Sequence, residues 1–182
     1  MKSKFVFYSG SADKPPGTNT KTGEYLRPGD NFSELASIKD WRQVLSNFYP
    51  CLFSFDEKHF SSAEHAWHYA KFKSIERPEA LLFTLESKSE LSKQSALVAK
   101  QQGRKLYHMS PSEISFWEQN KLPFINEILY SKFNQCSLAK QVLLATHNAE
   151  LWHTLPRSKI QEHWTHLEHI RKTLWEAYQS VE

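Results

Sequence analysis

Residues 62–72 carry the side chains best suited to chemistry in this chain, SAEHAWHYAKF. Ser61 or Ser62 can cap a helix here, because a hydroxyl accepts a hydrogen bond from a free backbone N–H of the first turn. At 100° per residue, Glu64, His68 and Lys71 lie within about 60° of one another on that helix, and Trp67 lies at the edge of their stripe. The spacing therefore groups a carboxylate, an imidazole and an ammonium.

Apolar side chains cover most of the remaining surface of this predicted helix. A helix that faces solvent would carry a wider polar arc. Because an unpaired buried charge is costly, the narrow polar stripe must face a pocket, a partner or a thin strip of solvent. The apolar positions are Ala63, Ala66, Tyr69, Ala70 and Phe72.

A second group of polar and aromatic residues precedes that helix. Arg42 and the segment LSNFYP at 45–50 place a guanidinium, an amide and two aromatic rings within ten residues. The alternative is a structural turn, since Ser-Asn and Pro form turns while Phe48 and Tyr49 fill the core. The residues alone favour this alternative.

The elements that must position these residues are mostly helical. An apolar run at 5–8 predicts a buried strand, and 51–60 resembles a hairpin. Residues 9–33 read as a long loop, and 34–44 are compatible with a helix. Further helices are predicted over 92–102 with Gly103 as a stop, from 111 after a capping box, and over 120–133, 137–146 and 160–179.

The composition is that of an ordinary globular protein, with 182 residues, 40% hydrophobic and 24% charged. The net charge of +3 is too small to identify a nucleic-acid-binding protein. Cys51 and Cys136 have no CxxC spacing, so we expect reduced, inert thiols in a cytoplasmic protein. No transmembrane span or secretory signal is visible, and no glycine-rich phosphate loop is present.

Nine histidines raise the question of a metal site. Glu64, His65 and His68 do not follow the order of the HExxH motif. Three later histidines fan over about 120° of a helix, which is too wide for one metal ion. We therefore expect no metal. These histidines are His163, His166 and His169.

Taken together, these segments resemble the YbiA-like family, also called the NADAR superfamily. LSNF, followed by Glu-His with a lysine seven residues after the glutamate, is the specific part of the resemblance. Most of residues 5–175 are covered. The matching segments are 5–9, 45–50, 62–72, 99–103, 129–133, 143–146 and 167–174.

The resemblance implies an α+β fold that is predominantly α-helical, with a few short strands near the N-terminus. It implies one domain over 1–182, in which 9–44 is a loop-rich insertion typical of a longer-chain branch. It also implies an N-glycosidase, which hydrolyses the bond between a ribose carbon and a nitrogen. Family members are associated with phosphoribosylated riboflavin-pathway intermediates and with removal of ADP-ribose from guanine bases.

The family's chemistry gives Glu64 and Lys71 candidate catalytic roles. The carboxylate of Glu64 can stabilise an oxocarbenium-like centre or activate water. Lys71 either holds a phosphate or, with a lowered pKa, attacks C1 of the opened sugar as an amine. An intrahelical ion pair is the structural alternative, and it is weakened by the two turns between the residues. Such hydrolysis needs no cofactor.

The remaining candidates are substrate-binding residues. Asn47 and His68 suit hydrogen bonds to a ribose or a base, and Arg42 suits a phosphate or a plain surface position. Phe48 and Trp67 either stack on a base or fill the core.

The chain departs from the family near its C-terminal end. Many members carry an Asp-x-x-Trp-Gly element and a glycine-rich stretch before the last helix. Residues 155–164 contain neither Asp nor Gly. Either Arg157, Glu162, His163 or Trp164 supplies the missing contacts, or activity is reduced or lost.

Three functions remain open at this stage. The first is hydrolysis of a nucleotide-like or ADP-ribosylated substrate, as a small molecule or in nucleic acid. The second is a module that binds ADP-ribose or a nucleotide without turnover. The third is a nucleic-acid-binding structural protein, which rests only on mild basic charge and aromatic content. No membrane partner is expected, and the oligomeric state is open.

Overall fold

The computed structural model describes residues 1–155 and 158–180. Contacts between Cα atoms group the chain into two compact units. The terminal unit comprises Met1–Ser46 and Ser137–Glu182, and the central unit comprises Asn47–Cys136. The structure is α+β and predominantly helical, as the resemblance implied.

Five strands and eight α-helices lie in the described residues, with short 3₁₀ helices at Thr20–Thr22, Pro78–Phe83 and Leu85–Ser87. The strands are β1 (Lys4–Phe7), β2 (Phe53–Phe55), β3 (Lys58–Phe60), β4 (Glu150–Thr154) and β5 (Gln161–His163). The helices are α1 (Ser33–Ser37), α2 (Trp41–Leu45), α3 (Ala63–Lys73), α4 (Glu90–Lys93), α5 (Ala96–Leu106), α6 (Pro111–Gln135), α7 (Ser137–Ala145) and α8 (Thr165–Gln179).

A three-stranded sheet organises the terminal unit, in the order β1-β4-β5. Strand β1 pairs parallel with β4, in the register Phe5↔Leu151, and β5 pairs antiparallel with β4. The predicted strand at 5–8 is confirmed over Lys4–Phe7. Its three apolar residues are fully buried, as expected for a strand in the core. Helices α1, α2, α7 and α8 supply the rest of this core, including Leu35, Trp41, Val44, Val142, Leu143, Leu167, Ile170 and Leu174.

Two helix predictions in the terminal unit need correction. The helix expected over 34–44 is split into α1 and α2, because Asp40 adopts a left-handed conformation with φ of 54°. The helix expected over 160–179 begins only at Thr165. Residues 161–163 instead form β5, where pairing with β4 stacks His163 on Trp152 at 4.7 Å between ring centroids.

The central unit is built around α3. The predicted hairpin is confirmed as β2 and β3, with Asp56 and Glu57 both at positive φ, as a tight type I′ turn requires. Helix α3 packs against α5, α6 and the 3₁₀ helix Pro78–Phe83. Its apolar neighbours include Phe53, Phe60, Phe83, Trp117 and Ile128.

The helix boundaries predicted for the central unit are correct in part. The capping box at Ser110 and Glu113 is present, but α6 continues to Gln135 and absorbs the separately predicted helix over 120–133. Gly103 was expected to end a helix, yet it lies inside α5. No helix of the described residues is long and apolar enough to cross a membrane.

Candidate active site

Glu64 lies in the first turn of α3, where backbone and side-chain contacts fix the start of the helix. The Ser62 hydroxyl accepts a hydrogen bond from the backbone N–H of His65 and lies 2.7 Å from its Nδ1. The backbone N–H of Glu64 donates to the carbonyl of Asn47 at 3.0 Å. These contacts hold Asn47 beside Glu64, which is only 7% exposed.

His68 lies one turn further along α3 and faces the same carboxylate. Its Nε2 is 3.3 Å from Glu64 Oε1, but the two groups are not aligned as a hydrogen bond. The imidazole stacks on Phe83, with 5.2 Å between centroids and 17° between planes. The predicted stripe of Glu64 and His68 is therefore present, and it is buried rather than solvated.

Two residues that contact Glu64 carry unpartnered polar atoms. Within the described ranges, Asn47 Oδ1 and both ring nitrogens of His68 are buried and make no hydrogen bond in the protein. Most buried polar atoms in proteins are paired with protein or with ordered water. Of these three atoms, His68 Nε2 lies nearest the carboxylate, at 3.3 Å from Oε1, and we interpret the group as a place that receives water or a polar ligand.

Lys71 completes the predicted stripe at the next turn. The side chain is half-buried, and this burial is the main cause that lowers the pKa of its ammonium. The nearby cations Arg104 and Lys121 lower the pKa further, while Glu118 and Glu64 raise it. A lowered pKa increases the fraction of lysine present as the neutral amine, which is the nucleophilic form.

Phe48 and Trp67, the two aromatic residues predicted to bind substrate or fill the core, are half-buried in the central unit. Trp67 meets Trp117 edge to face, at 4.8 Å and 73°, and packs against the apolar core. The Lys100 ammonium lies 5.2 Å from the ring centroid of Phe48. Trp67 thus has the core contacts that one of its two predicted roles requires.

Arg42 occupies a structural position in the terminal unit. Its side chain is 1% exposed, and it forms a two-point ion pair with Glu24 at 2.7 and 2.5 Å. The third nitrogen, Nη1, donates to the carbonyl of Lys14, and Nη2 also reaches Pro15. Since all its nitrogens donate within the protein, we leave Arg42 out of the proposed site.

The two remaining candidates, Trp164 and Arg157, come from the C-terminal region. Trp164 precedes α8 in the terminal unit, and it is half-buried among the rings of Phe7, His153 and His166 at 4.7–5.3 Å. Arg157 lies outside the described residues. The structure thus brings Asn47, Glu64 and His68 together, and the charge of Glu64 makes a minor contribution to the pKa of Lys71.

Two residues of the central unit were missed by the sequence analysis. Phe83 stacks on His68, and Gly103 lies against the same ring. Gly103 had been assigned the common role of a helix stop. No signal in the sequence connected Phe83 with α3.

The cysteines show no sign of nucleophilic activation. Burial is the main cause that raises the pKa of Cys51 to about 12, which keeps it a thiol at neutral pH. Cys136 is buried, and its thiol lies 3.5 Å from the carbonyl of Leu52. In the part of the chain that the structure describes, no three His, Cys, Asp or Glu side chains are grouped as metal ligands.

Comparisons with known proteins find a matching family and a similar solved structure. Residues 36–165 match the NADAR domain family. The structure is similar to the NMR structure of the Escherichia coli protein YbiA, with a TM-score of 0.56 and 19% sequence identity, covering 100% of this chain and 90% of that chain. A search of curated proteins finds no match. Because the family match covers well over half of its length, the chain belongs to the NADAR domain family.

Proposed function

We propose that the protein is an N-glycosidase that hydrolyses the C–N bond between a ribose and a base. Its substrate is a nucleotide-like or ADP-ribosylated molecule, with ADP-ribosylated guanine as the first choice. The observation that carries the proposal is the buried carboxylate of Glu64 beside the unpartnered polar atoms of Asn47 and His68. Membership of the NADAR family supports this class of chemistry.

Glu64 is the central residue of the proposed mechanism. Cleavage of a ribosyl C–N bond develops positive charge at the sugar carbon, as in glycoside hydrolysis. A carboxylate in a site of low dielectric constant stabilises that charge more than one in water does. Glu64 is 7% exposed, so it is suited to this role or to activating the attacking water.

Asn47 orients the substrate in this proposal. Its amide oxygen accepts a hydrogen bond from a ribose hydroxyl or a base edge. This bond satisfies an atom that is otherwise buried without a partner. Satisfying it favours the bound state, since an unpaired buried polar atom costs about 1–3 kcal/mol.

Lys71 has two possible roles, as a phosphate ligand or as the amine that attacks C1 of the opened sugar. Its burial and lowered pKa are compatible with the second role, in which an imine forms with loss of water. Borohydride reduction in the presence of substrate separates the two roles. A stable adduct at Lys71 supports the imine, and its absence favours the phosphate ligand.

A second candidate function is a module that binds ADP-ribose or a nucleotide without turnover. The absence of Asp and Gly from residues 155–164 favours this candidate, because the family element expected there is missing. The early riboflavin-pathway intermediates are the alternative substrates for the hydrolase. One experiment with several substrates separates these functions.

The test incubates the wild type and Glu64→Gln with a guanine-ADP-ribosylated oligonucleotide, and separately with early riboflavin-pathway intermediates. Mass spectrometry follows release of base or sugar. Glu90→Gln is the matched control, because this carboxylate is 84% exposed and also lies in the central unit. Release that depends on Glu64 and survives in Glu90→Gln supports the hydrolase. Binding of ADP-ribose without release supports the binding module.

A further inference from the structure

His68 is held in place by packing rather than by hydrogen bonds. Its residue is 5% exposed, and Phe83 covers one face of the ring in a near-parallel stack. Neither ring nitrogen makes a hydrogen bond within the described part of the protein. A buried imidazole that is oriented but unpaired needs an explanation beyond filling the core.

Gly103 provides the space that fixes the orientation of this ring. A Cβ atom at Gly103 would lie 2.8 Å from His68 Nδ1 and 3.0 Å from Cε1. Real Cβ atoms essentially never approach so closely, so any larger residue would push the imidazole away. Gly103 lies inside α5, where alanine is the better helix former. Gly103 is therefore less favourable for the helix than alanine, at the position where the His68 ring occupies the space of a side chain.

The two contacts leave one ring nitrogen for Glu64. Because the Nδ1 edge of His68 faces Gly103, Nε2 is the nitrogen nearest the carboxylate, at 3.3 Å. Hydrogen bonds in unliganded active sites are often long or poorly aligned, and they tighten when substrate binds. The distance of 3.3 Å is only slightly longer than that of an ordinary N–H···O hydrogen bond.

We propose that His68 is a positioning residue for Glu64, held by the stack on Phe83 and by the missing side chain of Gly103. Its Nε2–H donates to Glu64 Oε1 in the substrate complex, which leaves the other carboxylate oxygen for the ribosyl carbon or the water. The catalytic part of this inference rests on the proposed function of Glu64. The stack on Phe83 and the close approach of Gly103, which together we call the clamp, are present without substrate.

Gly103→Ala tests the clamp without changing any group that touches substrate. If Gly103 only fits the helix, alanine there leaves turnover unchanged and raises stability, because alanine favours helices. If it makes room for His68, the new methyl group displaces the imidazole. We then expect kcat to fall roughly 10- to 100-fold, with KM changed less than about 3-fold, as for other small misplacements of catalytic groups. Gly10→Ala is the control for a glycine remote from the site, since a Cβ atom there would meet only the side chain of Tyr8.

Variants of His68 separate positioning from core filling. His68→Ala is expected to lose as much kcat as Gly103→Ala, and the double variant to lose no more than either one, because both changes remove the same contact. His68→Gln keeps an N–H donor, so it recovers most of the lost kcat. Turnover within 2-fold of the wild type in Gly103→Ala, or additive losses in the double variant, would overturn the proposal.

A measurement without substrate keeps this inference distinct from the proposed function. Nitrogen-15 NMR of histidine side chains reports the protonated nitrogen of His68. We expect its ring signals to show Nε2–H and to shift in both Gly103→Ala and Glu64→Gln. If the wild type releases no product while these shifts occur, the proposed function fails and the clamp stands. Signals that are insensitive to both substitutions would refute the clamp itself.

Discussion

Two buried glutamates, one in each unit, differ in how completely they are paired. The carboxylate of Glu24 accepts hydrogen bonds from Nε and Nη2 of Arg42 and from the backbone N–H of Val6, at 2.5–3.0 Å. Glu64 faces the imidazole of His68 at 3.3 Å, without an aligned hydrogen bond. Both residues are buried. Burial alone therefore does not distinguish the two carboxylates, and we propose that incomplete pairing marks Glu64 as the functional one.

This difference has a physical reason. A buried charge is tolerated when hydrogen bonds and an opposite charge replace the water that it has lost. Glu24 meets this condition within the protein and has no need of a ligand. Glu64 lies beside atoms that have lost water and found no partner. We interpret the first carboxylate as structural and the second as available to substrate.

The largest stability effect is expected at the fully paired glutamate. Arg42→Met leaves the Glu24 carboxylate buried and uncompensated, so we expect the free energy of unfolding to fall by about 3–5 kcal/mol. Urea denaturation measures this change. Arg27→Met is the matched control, because Arg27 is half exposed in its ion pair with Asp30 and should matter far less. Equal losses in the two variants would contradict the structural role of Arg42.

A smaller, pH-dependent effect is expected at Lys132, another buried charge. Burial is the main cause that lowers the pKa of this fully buried lysine to about 8. Between about pH 8 and the unfolded pKa of about 10.4, the unfolded chain binds more protons than the folded one. The free energy of unfolding of the wild type should therefore rise with pH in this window, by up to about 3 kcal/mol relative to Lys132→Met.

Denaturation at pH 7.5, 9 and 10.5 measures this dependence. Lys105→Met, which removes an exposed lysine of the same unit, is the control. A flat difference for Lys132→Met as well would show that Lys132 titrates like an exposed lysine. In that case a buried charge in the central unit would not reduce stability. The comparison of Glu24 with Glu64 assumes that it does.

The smallest effect is expected at the cap that starts α3. Ser62→Ala removes the hydrogen bond to the backbone N–H of His65, which should cost about 1 kcal/mol. Ser95→Ala removes the equivalent cap of α5. Ser62 also contacts the His65 ring at 2.7 Å, so its substitution should cost more than that of Ser95. Equal losses by thermal denaturation would show that the ring contact adds nothing to the stability of the cap.

The features that follow from neighbouring residues were predictable. The stripe on α3 needs only the helical period, and the capping box at Ser110 needs only a serine and a glutamate three residues apart. The YbiA-like fold followed from a combination of such local motifs. Each of these signals lies within a few residues of the structure that it specifies.

The features that depend on distant partners were not predictable. Arg42 finds Glu24 across an 18-residue separation that no periodicity describes. Strand β5 exists because β4 pairs with it, although Ile160 and Trp164 on either side of it continue the apolar period of α8. Gly103 carries the ordinary signal of a helix end, and only the ring of His68 explains its place within α5.

The central claim is that Glu64 does chemistry rather than hold the fold together. Its most direct test measures, on the same preparation of Glu64→Gln, the free energy of unfolding and the release of base or sugar from a guanine-ADP-ribosylated oligonucleotide and from early riboflavin-pathway intermediates. We predict stability close to that of the wild type and a loss of turnover on the order of 10²-fold or more on one substrate class. Unchanged turnover on the substrate that the wild type cleaves would remove Glu64 from the mechanism and contradict this account.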